Sequence, residues 1–89
     1  MKHAGADALR QLSPLLAELR KRGALREKSS GVFYFKSKAF LHFHEDPAGL
    51  FADLRVAEEW VRLPVNTPSE WTRVLEMIDR KLAATDSGM

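Results

Sequence analysis

Cysteine is absent from the 89 residues, which removes disulfides and thiolate metal chemistry as sources of stability. No glycine-rich phosphate loop and no serine in a nucleophile elbow occurs, so the commonest nucleotide-binding and hydrolase signatures are missing. No apolar run approaches the roughly 20 residues of a membrane span, and residues 1–7 lack the apolar stretch of a signal peptide. The expectation is a cytoplasmic protein with no membrane partner. Strong charge is lacking too: 14 Lys/Arg against 12 Asp/Glu leave a net +2, which points to neither nucleic acid nor a lipid surface. A chain this short removes only about 60 to 65% of its unfolded surface from water. Its stability must come from tight packing or from a partner.

What the chain does have is concentrated. All five phenylalanines, the only tyrosine and two of the three histidines lie within residues 31–55, where turn formers separate short apolar runs. This predicts a three-stranded antiparallel sheet: residues 32–36, a tight turn at Ser37 and Lys38, residues 39–44, a reversal through Glu45, Asp46, Pro47, Ala48 and Gly49, then residues 50–55. A fourth strand at residues 60–65 would be held to an edge by Pro64. Leu9, Leu12, Leu15, Leu16 and Leu19 recur at helical spacing. Pro14 interrupts them and suits a first turn, which predicts a main helix over residues 14–22 capped by Ser13, with Leu9 and Leu12 on a preceding turn or a kinked earlier helix. Arg20, Lys21 and Arg22 then complement its C-terminal dipole. Residues 24–30 read as a charged connector with Leu25 turned inward. Thr67, Pro68 and Glu70 form a capping box, and Trp71, Val74, Leu75, Ile78 and Leu82 make one apolar stripe for a C-terminal helix over residues 68–83. The whole is one domain, residues 1–89, with an ordered core over 7–84 and flexible tails at 1–6 and 85–89. Its class is a two-layer α+β fold, an antiparallel sheet of three to four strands flanked by an N-terminal and a C-terminal helix.

Strand alternation separates two faces. If four residues make the reversal after His44, Phe43 lies opposite Leu50 and Leu41 opposite Ala52, so that Leu41, Phe43, Leu50, Ala52 and Leu54 face the helices. The other face carries Phe40, His42, His44, Phe51, Asp53 and Arg55. Either Tyr34, or Phe33 and Phe35, joins them according to the length of the first turn. Each fully buried aromatic contributes about 1.5 to 3 kcal/mol, so a bare face of this kind calls for a cover: a helix, a second copy of the chain or a ligand.

His42 and His44 stand two apart on one strand with Asp53 across the hairpin, and imidazoles with a carboxylate are what a zinc or iron site requires. A two-apart pair carries little weight as a motif, so no metal, cofactor or catalytic residue is assigned. Asp53 and Arg55 are expected as a salt bridge on the sheet, with a polar pair lining a pocket as the alternative. Nothing supplies a positioned acid and base in a cleft, and an enzyme is not expected. The chain is electrically lopsided: up to residue 40 nine Lys/Arg face three Asp/Glu, and beyond it five face nine. A nucleic-acid reading would use Arg20, Lys21, Arg22, Arg26, Lys28, Lys36 and Lys38, with Tyr34, Phe33 or Phe35 as stacking platforms.

The run Gly31-Val32-Phe33-Tyr34, continued by Ala39-Phe40-Leu41-His42-Phe43-His44-Glu45-Asp46-Pro47-Ala48-Gly49-Leu50-Phe51-Ala52-Asp53-Leu54-Arg55, resembles that of small uncharacterised bacterial proteins. The order of helix, charged connector, Lys38-Ala39-Phe40 hairpin and following strand is also similar to the opening of the YjbR/MmcQ-like domain family, over about half of the chain. That resemblance implies an α+β fold and association with nucleic acid, and supplies no catalytic residue. The functional expectation from the residues themselves is a non-enzymatic domain acting by protein association, as a homodimer, through the Phe40, His42, His44, Phe51, Asp53 and Arg55 face. The alternatives are a nucleic-acid-binding module and a metal or small-ligand protein using His42, His44 and Asp53.

Overall fold

The computed structural model describes residues 2–87, with side chains through Ala84. In chain order the elements are β1 (Lys2–His3), α1 (Ala6–Gln11), α2 (Ser13–Arg20), β2 (Leu25–Ser29), β3 (Val32–Phe35), β4 (Lys38–Asp46), β5 (Gly49–Val56), β6 (Glu59–Pro64) and α3 (Pro68–Ser87). The architecture is α+β. Five strands run as an antiparallel meander in the order β2-β3-β4-β5-β6, and β1 adds to β4 as a sixth.

The helices follow from the leucine spacing and from Pro14. Without an N–H, Pro14 is tolerated in a first turn and nowhere deeper, so the leucine pattern divides at Leu12 into α1 and α2. Leu12 serves as the N-cap residue of α2, with no side-chain cap; Ser13, expected in that role, is the first helical residue. Leu12, Leu15, Leu16 and Leu19 are buried and join Val74 and Ile78 of α3 in one core with Phe33, Leu41, Phe43, Ala52, Leu54, Leu63 and Val65 of the sheet side. The two helical segments are also clasped directly. Arg22 Nε and Nη2 donate to the Asp79 carboxylate at 2.7 and 2.9 Å, while its Nη1 donates to the Glu18 carbonyl at 2.6 Å and so caps the end of α2. The capping box forms at α3: the Glu70 N–H donates to Thr67 Oγ1 at 3.2 Å, and Glu70 Oε1 accepts from the Asn66 N–H, one residue earlier than the cap itself.

The sheet departs from expectation in four places. β4 and β5 turn through Pro47 and Ala48 alone, because Asp46 pairs with Gly49; Leu41 therefore faces Leu54 and Phe43 faces Ala52. This register differs from the expected one by two residues, and a shift of two leaves every side chain on its own face. Residues 25–29, expected as a connector, are edge strand β2, whose exposed Arg26 and Lys28 protect its free edge from further pairing. Residues 2–3, expected in a flexible tail, pair with β4 through Lys2 opposite Glu45 and His3 opposite His44. The ladder continues where the Ala4 N–H donates to the Phe43 carbonyl at 3.0 Å and the Gly5 N–H to Glu45 Oε2 at 2.6 Å. At the other end α3 continues to Ser87, past the boundary expected near residue 83; the remainder of the expected tail, and Met1, lie outside the described residues.

The fourth departure changes the site. Phe33 faces Leu41 while its neighbour Tyr34 faces Ala39, so one step along β3 answers two along β4, and Phe40 is the extra residue of a β-bulge. A bulge breaks alternation. Phe40 turns to the helix side with Leu41 and is 3% exposed, its ring 5.5 Å from that of Phe35. It is a core residue and not a member of the outer face. The first turn consists of Lys36 and Ser37, one residue earlier than the expected Ser37 and Lys38 because Lys38 pairs with Phe35 as the first residue of β4, and this leaves Phe33 in the core and Tyr34 half-buried with the Lys28 ammonium 4.3 Å from its ring centre.

Glu27 ties the edge strand to the rest. Its carboxylate accepts from Arg20 Nε and Nη2 at 2.6 and 2.9 Å and from the Gly31 N–H at 2.9 Å. Gly31 has φ +75°, and a Cβ there would stand 2.7 Å from the Leu9 side chain. The Arg20 bonds hold the Glu27 carboxyl below its ordinary 4.5, with the Gly31 N–H adding to the effect and partial burial opposing it. A depressed folded pKa contributes stability that is complete above the unfolded value and disappears as the pH falls through the folded one. Glu27→Gln is therefore expected to lower Tm at pH 7, with the gap from wild type closing below about pH 4; thermal melts across that range check it. Phe40→Ala is expected to cost about 3 to 5 kcal/mol in urea unfolding, the cost of a fully buried ring. Phe51→Ala, from the outer face, should cost clearly less.

Candidate functional site: three histidines on the open face of the sheet

The bulge and the helices leave one face of the sheet open, and the strand registers set its side chains in rows. His3, His44, Phe51 and Pro64 form one row across β1, β4, β5 and β6; His42, Asp53 and Arg62 form the next; Arg55 and Trp60 form the third. Directly opposed residues share a face. The sequence-predicted His42, His44, Phe51, Asp53 and Arg55 are therefore brought together, and Phe40 is not. Four residues of the face escaped sequence reasoning: His3, Trp60, Arg62 and Pro64. The signal for the last three was the alternation of the predicted fourth strand. For His3 no signal exists short of knowing that β1 pairs with β4.

Asp53 is the centre of the polar network. It is 7% exposed and accepts from Arg62 Nε at 2.8 Å and Nη2 at 2.9 Å, a two-point guanidinium contact. The expected Asp53–Arg55 pair does not form, because Arg55 lies two residues along the same strand, where its guanidinium donates to the Ala39 carbonyl at 2.7 Å and sits 4.6 Å from the Trp60 ring centre. Arg62 holds the Asp53 carboxyl below the usual aspartate range against the opposing effect of burial, with His44 and His42 adding smaller contributions.

An ionised carboxylate only accepts hydrogen bonds. His44 Nε2, 3.0 Å from Asp53 Oδ2, therefore carries a proton. The same Nε2 stands 2.9 Å from His42 Nδ1, which must then present a lone pair. When His44 is neutral, its Nδ1 then carries a second lone pair, and that atom is buried and without a hydrogen-bond partner among the described residues. Burial and the neighbouring His44 push the His42 imidazole below its ordinary pKa, with Asp53 opposing. His3 completes the group: its ring centre is 4.9 Å from that of His44 and 5.6 Å from that of His42. One ligating atom from each of the three histidines lies within 4.8 Å of the others. Trp60, 42% exposed, walls the group on one side with its ring centre 4.8 Å from that of His42.

Three of the seven cations proposed for nucleic acid are closely paired within the molecule. Arg20 holds Glu27, Lys21 holds Glu18 at 2.9 Å and Arg22 holds Asp79. Phe33 is buried in the core and offers no stacking surface. No helix among the described residues is long and apolar enough to cross a membrane.

Removing Asp53 strands Arg62 and His44 together. Asp53→Ala is expected to cost about 1.5 to 3 kcal/mol in urea unfolding, the range for hydrogen bonds to a charged group. In combination with Arg62→Ala the loss should be smaller than the sum of the two single losses, as shared partners require.

Comparison with protein-family models, with curated proteins and with solved structures gives no match to this chain.

Proposed function

We propose that this protein binds a divalent late transition-metal ion, with zinc, copper and nickel as the fitting class, through His3, His42 and His44. The observation that carries the reading is the convergence of three imidazoles from two strands to within 4.8 Å. Imidazole nitrogens suit these metals, and a three-histidine set leaves a coordination position for water or an anion. Tetrahedral zinc at 2.0 to 2.1 Å from each nitrogen needs ligand atoms about 3.3 Å apart. Ring motions of roughly 1 Å achieve this, and His3, whose side chain is exposed, is the ligand best able to move. Asp53, bonded to His44 and fixed by Arg62, is the carboxylate behind a metal-binding histidine that orients the ring and raises its basicity. The hydrophobic core closes without the site, so the ion is an exchangeable ligand and not a condition of folding.

Zinc titration by calorimetry after chelator treatment tests this. Wild type should bind one zinc ion per chain, and each of His3→Ala and His42→Ala should weaken binding by roughly tenfold or more. His3 is the cleaner test because its exposed side chain can be removed without disturbing the core. Circular dichroism should show the metal-free protein folded, and zinc at 100 times Kd should add about 2.7 kcal/mol of stability. Zinc affinity indifferent to both substitutions would overturn the proposal.

A second reading of the same face is packing of a second copy, favoured by the absence of a helix over it among the described residues and by the exposure of Trp60. Light scattering on a sizing column, with chelator and then with zinc, separates the two. A chelator-resistant dimer that Trp60→Glu dissociates supports self-association, and a monomer at all concentrations refutes it.

A further inference from the structure

The two hairpin turns at one end of the sheet are built from residues that such turns disfavour. Lys36 and Ser37 join β3 to β4 with φ +54° and +70°, and Ala57 and Glu58 join β5 to β6 with φ +51° and +72°. Positive φ at both central positions is the I′ pattern, which Asn-Gly satisfies without strain and other side chains do not. Four non-glycine residues in this region, in two adjacent turns, call for a reason, and strain of this kind collects where side chains serve a ligand.

The reason lies between the turns. They border a cavity of about 230 Å³, and Lys36, Ala57 and Glu58 are among its lining residues. Phe35, half-buried, supplies aromatic surface, and Phe40, brought there by the β4 bulge and itself buried, closes the cavity from behind. Lys36, Lys38 and Arg55 bring positive charge, joined by Lys81 of α3, against the single carboxylate of Glu58. Lys38 reaches Glu58 only at 3.8 Å. Lys36 Nζ stands 5.7 Å from the centre of the Phe35 ring. Arg55 is held by the Ala39 carbonyl and by Trp60, and it forms no ion pair among the described residues. Replacement of Lys36 by the asparagine that the turn prefers would remove a cation from the cavity.

We propose that this cavity is a binding site for a small organic monoanion with a flat apolar body, an aryl carboxylate, whose ring lies against Phe35 and Phe40 and whose carboxylate is held by Arg55, Lys36 and Lys38. The volume admits one or two fused rings and excludes drug-sized ligands. Aromatic surface supplies affinity for the ring, and a guanidinium supplies two-point recognition of the carboxylate. The site stands apart from the three histidines, nearer the opposite end of β4, and requires no metal.

Amide NMR titration of the intact protein with 2-naphthoate tests the proposal, with 2-naphthamide, inorganic phosphate and single-stranded oligothymidylate as comparisons. Naphthoate should give saturable shifts at residues 35–40 and 55–58, with affinity roughly tenfold or more above that of the neutral amide, as loss of a charged hydrogen-bond partner implies. Arg55→Gln should weaken it by a similar factor. The double substitution Lys36→Asn with Ser37→Gly should raise Tm, because it relaxes the turn, and still weaken naphthoate severalfold. Naphthamide binding as tightly as naphthoate would overturn the proposal. So would phosphate or oligothymidylate binding there as tightly, which would mark a plain basic patch, and so would naphthoate affinity unaltered by both variants.

Discussion

Strand β4 hydrogen-bonds to three other strands, β1, β3 and β5, and the rest of the molecule is arranged by that constraint. β3 covers only the first half of one side of β4, from Lys38 to Leu41. The chain start fills what remains of that side, as β1. This placement satisfies backbone groups that would otherwise lie open on a central strand. It also sets His3 beside His44. The candidate metal site is thus a by-product of edge completion: two histidines belong to the sheet by alternation, and the third arrives because an unfilled stretch of ladder needed a partner.

Alternation carries the inference from sequence a long way in this chain. Leu41, Phe43, Ala52 and Leu54 are legible as core, and His42, His44, Phe51, Asp53 and Arg55 as the opposite face, because a strand offers only two sides. Even the misjudged length of the Pro47 turn was harmless, since a register shift of two preserves sides. Phe40 was not legible. Its position obeys the strand period on paper, and only the pairing of Phe33 with Leu41 and of Tyr34 with Ala39 shows that the period slips there. A bulge is a property of two strands together, and a single run of residues does not announce it. β2 was hidden for a different reason. As a charged edge it shows one inward apolar residue, Leu25, and its ladder with β3 is reinforced by the clasp of Glu27 by Arg20 and the Gly31 N–H. β1, at two residues, has no periodicity to read.

The outer face departs from what stability alone would select. A buried aspartate with an arginine partner is often no better for folding than a well-packed apolar pair of similar size. Asp53 nevertheless occupies the middle of the sheet, and its hydrogen bonds determine the tautomers of His44 and His42 in turn. The outcome is two imidazole lone pairs, one of them buried and without a donor, next to a third imidazole that is exposed. An apolar residue at position 53 would leave His44 free to rotate and to offer either nitrogen. The network therefore has a directional effect that a packing argument does not require.

At the far end of the sheet the departure from ideal chemistry is in the backbone. Turn residues with positive φ oppose folding unless neighbouring contacts over-determine them. In both hairpins the flanking ladder does so, with Phe35 paired to Lys38 and Val56 to Glu59. Ladder pairing explains how the strained turns survive, but not why Lys36, Ser37, Ala57 and Glu58 occupy them, since Asn-Gly would pair the same strands with less cost. The cavity that Lys36, Ala57 and Glu58 line supplies a reason independent of folding. Phe40 connects the two departures: its bulge takes an aromatic ring from the histidine face and places it against that cavity. One extra residue in β4 thus leaves the open face polar enough for imidazole chemistry and makes the end of the sheet apolar enough to receive a ring.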